Sequence, residues 1–260
     1  MGHVYIFFKN EVSTGLSYYQ KAYNLGGDQE PEINQLISNI YYYIGNYANA
    51  LKYTDKAIFL RPECDLFIKY SYMLSVQGKF KEAFTYLDST SNISACEQRC
   101  DIMKFHIYTE LKEFKKAEEF YNGAIKAGYK QTEDDYLFIS YLYNETGRKN
   151  EALSILNNFI KRNENLLNNS VRDWNFRITG FRLSAAYAMI GEKEKALKYI
   201  TYYNAKLEIL FILNNPESFP GFDSLRNEPE FKAFLQLIED EKSASLAQVK
   251  EMEQKGEIEL

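Results

Sequence analysis

One short pattern recurs through this chain: glycine, any residue, an aromatic, two more residues, then alanine. It stands at Gly45-Asn46-Tyr47-Ala48-Asn49-Ala50 and again at Gly78-Lys79-Phe80-Lys81-Glu82-Ala83. Lys112-Glu113-Phe114-Lys115-Lys116-Ala117 repeats it with lysine in place of glycine. Gly147-Arg148-Lys149-Asn150-Glu151-Ala152 and Gly191-Glu192-Lys193-Glu194-Lys195-Ala196 carry lysine at the aromatic place. Successive final alanines lie 33, 34 and 35 residues apart, and the last interval is 44. A period near 34 residues is that of stacked helix pairs, and the long interval inserts about ten residues.

Each element of the pattern has a physical reason. The glycine ends the first helix of a pair, where the chain needs a left-handed residue. The alanine opens the second helix on its packed face, where a small side chain lets two helix axes approach. Ala57 and Ala124 lie seven positions further on, two turns along that same face. Pro62 is expected to stop the helix after Leu60. Tyr41, Leu74, Tyr108, Tyr143 and Tyr187 all lie nine residues before the alanine, placed to project between paired helices.

In these features the chain resembles tetratricopeptide-repeat proteins over roughly residues 31 to 204. The departures are Lys112 for glycine, and Thr90, Phe159 and Tyr203 for the second small residue. The resemblance implies an all-α fold: a right-handed superhelical solenoid of helix-turn-helix repeats closed by a C-terminal capping helix. Residues 1–30 would form a partial N-terminal repeat, with Gly15, Tyr19 and Ala22 on its second helix and Val4 to Phe8 as a short first one. Residues 31–214 would hold about five repeats, and 215–260 a loop and the cap. Lys161 to Trp174, within the long interval, is either a loop or an extension of both flanking helices; Trp174, Ile178 and Phe181 favour a long helix. Gly221-Phe222-Asp223-Ser224-Leu225-Arg226 resembles the tail that closes many bacterial arrays of this family, including those attached to signalling and transcription proteins. Asn227 and Glu230 read as a capping box around Pro229. Phe231, Phe234, Leu235 and Ile238 then form a stripe that covers the last repeat. Beyond Glu239 the charge-rich sequence reads as a solvated helix extension rather than a docking helix.

Composition excludes several classes. Hydrophobic residues make up 45% of the chain and the net charge is −5, which supports a buried core and disfavours a general nucleic-acid binder. The longest apolar run, around Leu210 to Leu213, is far short of the roughly 18 residues of a membrane span. Val4 to Phe8 lacks the flanks of a signal peptide, which favours the cytoplasm; a leader already removed would place the chain in the periplasm. Cys96 and Cys100 lie one turn apart with His106 near, but a metal site needs more ligands, so reduced thiols and no metal or cofactor are expected. No phosphate-cradling loop, metal-binding helix or nucleophile motif stands in the sequence, so no catalysis is expected.

In the family the first helix of each pair lines a concave groove. Aligning the repeats places Asn39, Tyr42, Lys69, Tyr72, Arg99, His106, Phe138, Tyr141 and Arg182 on that lining. Aromatics would supply contact area and cations would meet carboxylates. Some relatives grip a peptide C-terminus with a lysine, asparagine and arginine clamp. Here Gln35 and Met103 stand where cations belong, so no clamp is expected. The resemblance implies a scaffold for a protein or peptide partner. A regulatory or sensor region of a larger signalling or transcription protein is the alternative, and self-association through aromatic faces is a third reading.

Overall fold

The computed structural model describes residues 11–93, 96–169, 174–201 and 216–258. Val4 to Phe8, Tyr203 and Leu210 to Leu213 lie outside the described residues, as does the side chain of Trp174. The described residues are helical: α1 (Val12–Asn24), α2 (Pro31–Tyr43), α3 (Tyr47–Leu60), α4 (Cys64–Val76), α5 (Phe80–Asp88), α6 (Glu97–Glu110), α7 (Phe114–Lys126), α8 (Glu133–Glu145), α9 (Lys149–Asn169), α10 (Trp174–Met189), α11 (Lys193–Thr201) and α12 (Pro229–Gln254). No described helix is long and apolar enough to cross a membrane. The chain forms two compact units, one of residues 1–100 with 238–260 and one of residues 101–237. Within each, repeated helix hairpins stack on their neighbours.

Five turns between the two helices of a pair are built the same way. Gly45, Gly78, Gly147 and Gly191 have φ between 74 and 86°, and Lys112 takes the same left-handed conformation at φ 59°. The amide after each returns to the carbonyl of the residue nine before the alanine: Asn46 to Tyr41, Lys79 to Leu74, Glu113 to Tyr108, Arg148 to Tyr143 and Glu192 to Tyr187, at 2.8–3.0 Å. This closes the carbonyls that a helix end leaves unpaired. A lysine in this conformation costs about 1–2 kcal/mol; glycine relieves that cost, but its greater freedom in the unfolded chain offsets part of the gain. Lys112→Gly is therefore expected to raise the unfolding free energy by about 0.5–1 kcal/mol in urea titration.

The residues nine before the alanine fill the space between paired helices. Tyr41 stacks on Tyr53, Tyr108 on Phe120 and Tyr187 on Tyr199, with rings 5.4–5.8 Å apart and within 12° of parallel. Ala50, Ala83, Ala117 and Ala196 are fully buried and Ala152 nearly so, as are Ala57 and Ala124 two turns on. A serine signature, not picked out from the sequence, adds to this. Ser38 Oγ donates to the Ala50 carbonyl at 2.9 Å and Ser184 Oγ to the Ala196 carbonyl at 2.7 Å, each from 12 residues upstream. Serine also stands at the matching Ser71 and Ser140.

Four expectations change or resolve. The long interval lengthens helices: α9 runs to Asn169 and α10 starts at Trp174. Helix α12 starts at Pro229, so Glu228 rather than Asn227 precedes it; Lys232 N donates to Glu228 O at 3.0 Å. The residue before proline is held out of the helical region, which sets that boundary. The far part of α12 is not a solvated extension. Ser245 and Val249 are buried, and Ser13 Oγ of α1 donates to Gln248 at 3.1 Å. Nor are all three cysteines reduced: Cys64 and Cys96 form a disulfide with Cα atoms 5.3 Å apart. Cys64 lies 32 residues from its partner, a pairing that no local sequence pattern reveals.

Candidate functional site

The residues aligned as a groove lining all lie on first helices, and each meets a partner inside its own unit, some of them within the aligned set and some outside it. In the first unit, Lys69 Nζ of α4 donates to Ser38 Oγ at 3.0 Å and to Asn39 Oδ1 of α2. Tyr42 meets Tyr72 edge-on at 6.1 Å, both half-buried. Arg99 pairs with Asp65 in an exposed ion pair. Asn39, Lys69 and Arg99 thus already have partners within the chain, and Met103 is buried.

Lys69 is the electrostatic feature of this face. Its amine has two uncharged oxygen partners, and loss of solvent around it brings its pKa from 10.5 down to about 7. Between those values the unfolded chain holds the proton and the folded chain does not, so stability rises with pH across that window. Lys69→Met should remove this slope. The melting temperature of the variant is expected to exceed the native one most near neutral pH and below, with the gap narrowing as pH rises toward 10.5.

In the second unit, His106 of α6 stacks on Phe138 of α8 at 4.0 Å, and its Nε2 lies 2.8 Å from Asp135 Oδ1. Asp135 is completely buried at the third position of α8, where it closes a capping box with Thr132. Burial alone would raise its pKa. Hydrogen bonding and charge from His106, with the backbone and hydroxyl donors of Thr132, more than offset that and hold it below 3.8. Tyr129 Oη also donates to it, at 3.1 Å. Arg182 of α10 grips the neighbouring Asp134 with two bonds of 2.7 and 2.9 Å. The Asp134–Asp135 pair at the helix start therefore ties three successive first helices together.

Phe138 and Tyr141 are buried, because residues 219–225 lie across α8 and α10. Phe219 meets Phe138 edge-on at 5.0 Å, and Phe222 meets Phe181 at 5.0 Å. Tyr141 Oη donates to Asp223 at 3.3 Å, and burial followed by that carboxylate's charge raises the phenol's pKa. Arg226 laces the segment by donating to Asp223 and to the Phe219 carbonyl at 2.9 and 3.1 Å. Beside it is a cavity of about 190 Å³, lined among others by Lys112, Tyr141, Glu145, Leu156, Met189 and Asp223.

No protein-family model and no curated protein matches the chain. The reading of the site therefore rests on its own residues. Sequence alignment identified first-helix positions but not their occupant in the second unit. Phe222 lies in the tail motif and Phe219 in the loop just before it, and the sequence signal for their role is two aromatics spaced around Gly221.

Proposed function

We propose that the chain is a non-catalytic interaction scaffold of the tetratricopeptide-repeat type, holding a peptide or protein segment against its first helices. The observation that carries this reading is the seat of residues 219–225 on α8 and α10. There a short 3-10-helical piece of chain, Pro220–Leu225 with Phe219 before it, is held by two aromatic anchors, Phe219 and Phe222, and one carboxylate, Asp223. The matching face of α2 and α4 carries the half-buried rings of Tyr42 and Tyr72, a similar provision of aromatic area. A segment with spaced aromatics and an acidic residue suits such a face, with rings supplying most of the binding energy.

The test is capture from a library of immobilised peptides, comparing the native chain with Tyr72→Ala and a Tyr42→Ala/Tyr72→Ala pair. Circular dichroism would verify that the variants remain folded. Sequences rich in spaced aromatics and carboxylates should be captured by the native chain and lost, at least tenfold, by the pair. Equal capture by all three chains would remove the α2–α4 face as the site.

A further inference from the structure

We propose that the reduced chain binds one thiophilic metal ion, Cu(I) or Zn(II), between Cys64, Cys96 and Cys100. Cys64 is the first residue of α4, Cys96 immediately precedes α6, and Cys100 follows one turn later. Their three sulfur atoms all lie within 4.8 Å of one another, with Cys96 and Cys100 3.5 Å apart. Cys96 and Cys100 are buried, and Cys64 is half-buried, which leaves a route in from solvent.

The arrangement is a triangle rather than a line. Attack of Cys100 on the disulfide would require a near-linear array of sulfurs. With the observed 3.5 Å and an ordinary disulfide bond, that array would hold Cys64 and Cys100 about 5.5 Å apart. They are closer than that. Three thiolates around one ion at metal–sulfur distances of about 2.3 Å lie about 3.8–4.0 Å from one another, which this triangle reaches by small side-chain movement. Soft thiolates select Cu(I) and Zn(II) over hard cations.

The surroundings suit thiolates. The first-turn amides of α4 and α6 favour negative charge at Cys64 and Cys96. Thr90 Oγ1 gives its proton to the Leu87 carbonyl at 2.7 Å, so the 3.1 Å contact with Cys100 is made by the thiol proton. When Cys100 loses that proton, the Thr90 oxygen faces the cluster and is available as a fourth, weaker ligand. Three first-class ligands suffice for Cu(I), while Zn(II) would use the fourth position for Thr90 or water.

Loading requires the Cys64–Cys96 bond to open. Two electrons from a phosphine reductant cleave it and two protons give two thiols, the phosphine leaving as its oxide with an oxygen from water. The ion then displaces one proton from each of the three thiols. The same sulfurs thus serve as a covalent link when oxidised and as a metal site when reduced.

The experiment uses the full chain, reduced with a phosphine and freed of it without air. Cu(I) and Zn(II) are added separately in competition with a coloured chelator, and bound metal is measured per chain. The expected result is one ion per chain for at least one metal, at least tenfold weaker retention in Cys100→Ser, and none in the chain left oxidised. Retention of Cu(I) alone would mark three-coordinate binding; retention of Zn(II) as well would mark use of the fourth position. If reduction alone unfolds the chain, each ion is supplied before the phosphine, and maintained helical signal supports the site. Retention of neither metal, equal retention by Cys100→Ser, or helical signal that no ion maintains would overturn the proposal.

Discussion

Replacing Phe222 by alanine is expected to cost about 3–5 kcal/mol of stability, the usual range for emptying a fully buried aromatic position. Phe222 has no exposed surface and meets the rings of Phe181, Phe219 and Phe231 at 5.0, 5.7 and 5.2 Å. Its loss removes a contact shared by α10, the 219–225 segment and α12. Two measurements check this: the midpoint of urea unfolding should fall, and limited proteolysis should cut within 216–228 at protease levels that spare the native chain. Phe59, 88% exposed, supplies the control, because Phe59→Ala removes no packing and should stay within about 0.5 kcal/mol. If the two variants proved equal, residues 219–225 would not be seated as described.

Asp135→Ala should cost about 3–5 kcal/mol, the range for breaking a buried, hydrogen-bonded charge arrangement from one side. The substitution leaves His106 Nε2, Tyr129 Oη and both donors of Thr132 without the carboxylate they meet. It also deletes the capping box of α8. Asp135→Asn keeps one acceptor oxygen and should lose less. The acid dependence has a definite sign. A carboxyl held below 3.8 contributes stability that is fully present above that value and is lost as pH falls through its depressed folded value. The native chain should therefore show a steeper fall in melting temperature below about pH 4 than Asp135→Asn does. Parallel curves for the two chains would mean that Asp135 titrates alike in folded and unfolded states.

Much of this architecture is legible in order along the chain. The turn residues, the buried alanines and the aromatic nine positions before each alanine act within one hairpin, so a repeated motif reveals them. Even the lysine that replaces glycine at position 112 obeys the rule, since the surrounding hydrogen bonds impose the left-handed conformation on whichever residue stands there. Helix α12 starts one residue later than a capping box at Asn227 would place it, because Pro229 holds Glu228 out of the helical region. The charge-rich end of α12 packs against expectation for a different reason. A sparse apolar stripe gives little periodic signal, yet Val249 needs only one receptive surface to become buried.

The candidate face divides along the same line. First-helix membership of Asn39, Tyr42, Lys69, Tyr72, Arg99, His106, Phe138, Tyr141 and Arg182 follows from the period, because a helix pair of fixed length repeats its positions. What each of them touches does not follow from it. The meeting of Lys69 with Ser38, of His106 with Asp135, of Phe138 with Phe219 and of Cys64 with Cys96 joins residues 29 to 81 positions apart. Hydrophobic periodicity and caps are local in their energetics, so the sequence by itself determined the helix pairs, their turns and their buried stripes. Contacts between successive first helices, the seat of residues 219–225 and the convergence of three sulfurs depend on how finished hairpins pack. Only the tertiary structure decided those, because packing selects among many side-chain pairings that the same periodic pattern allows.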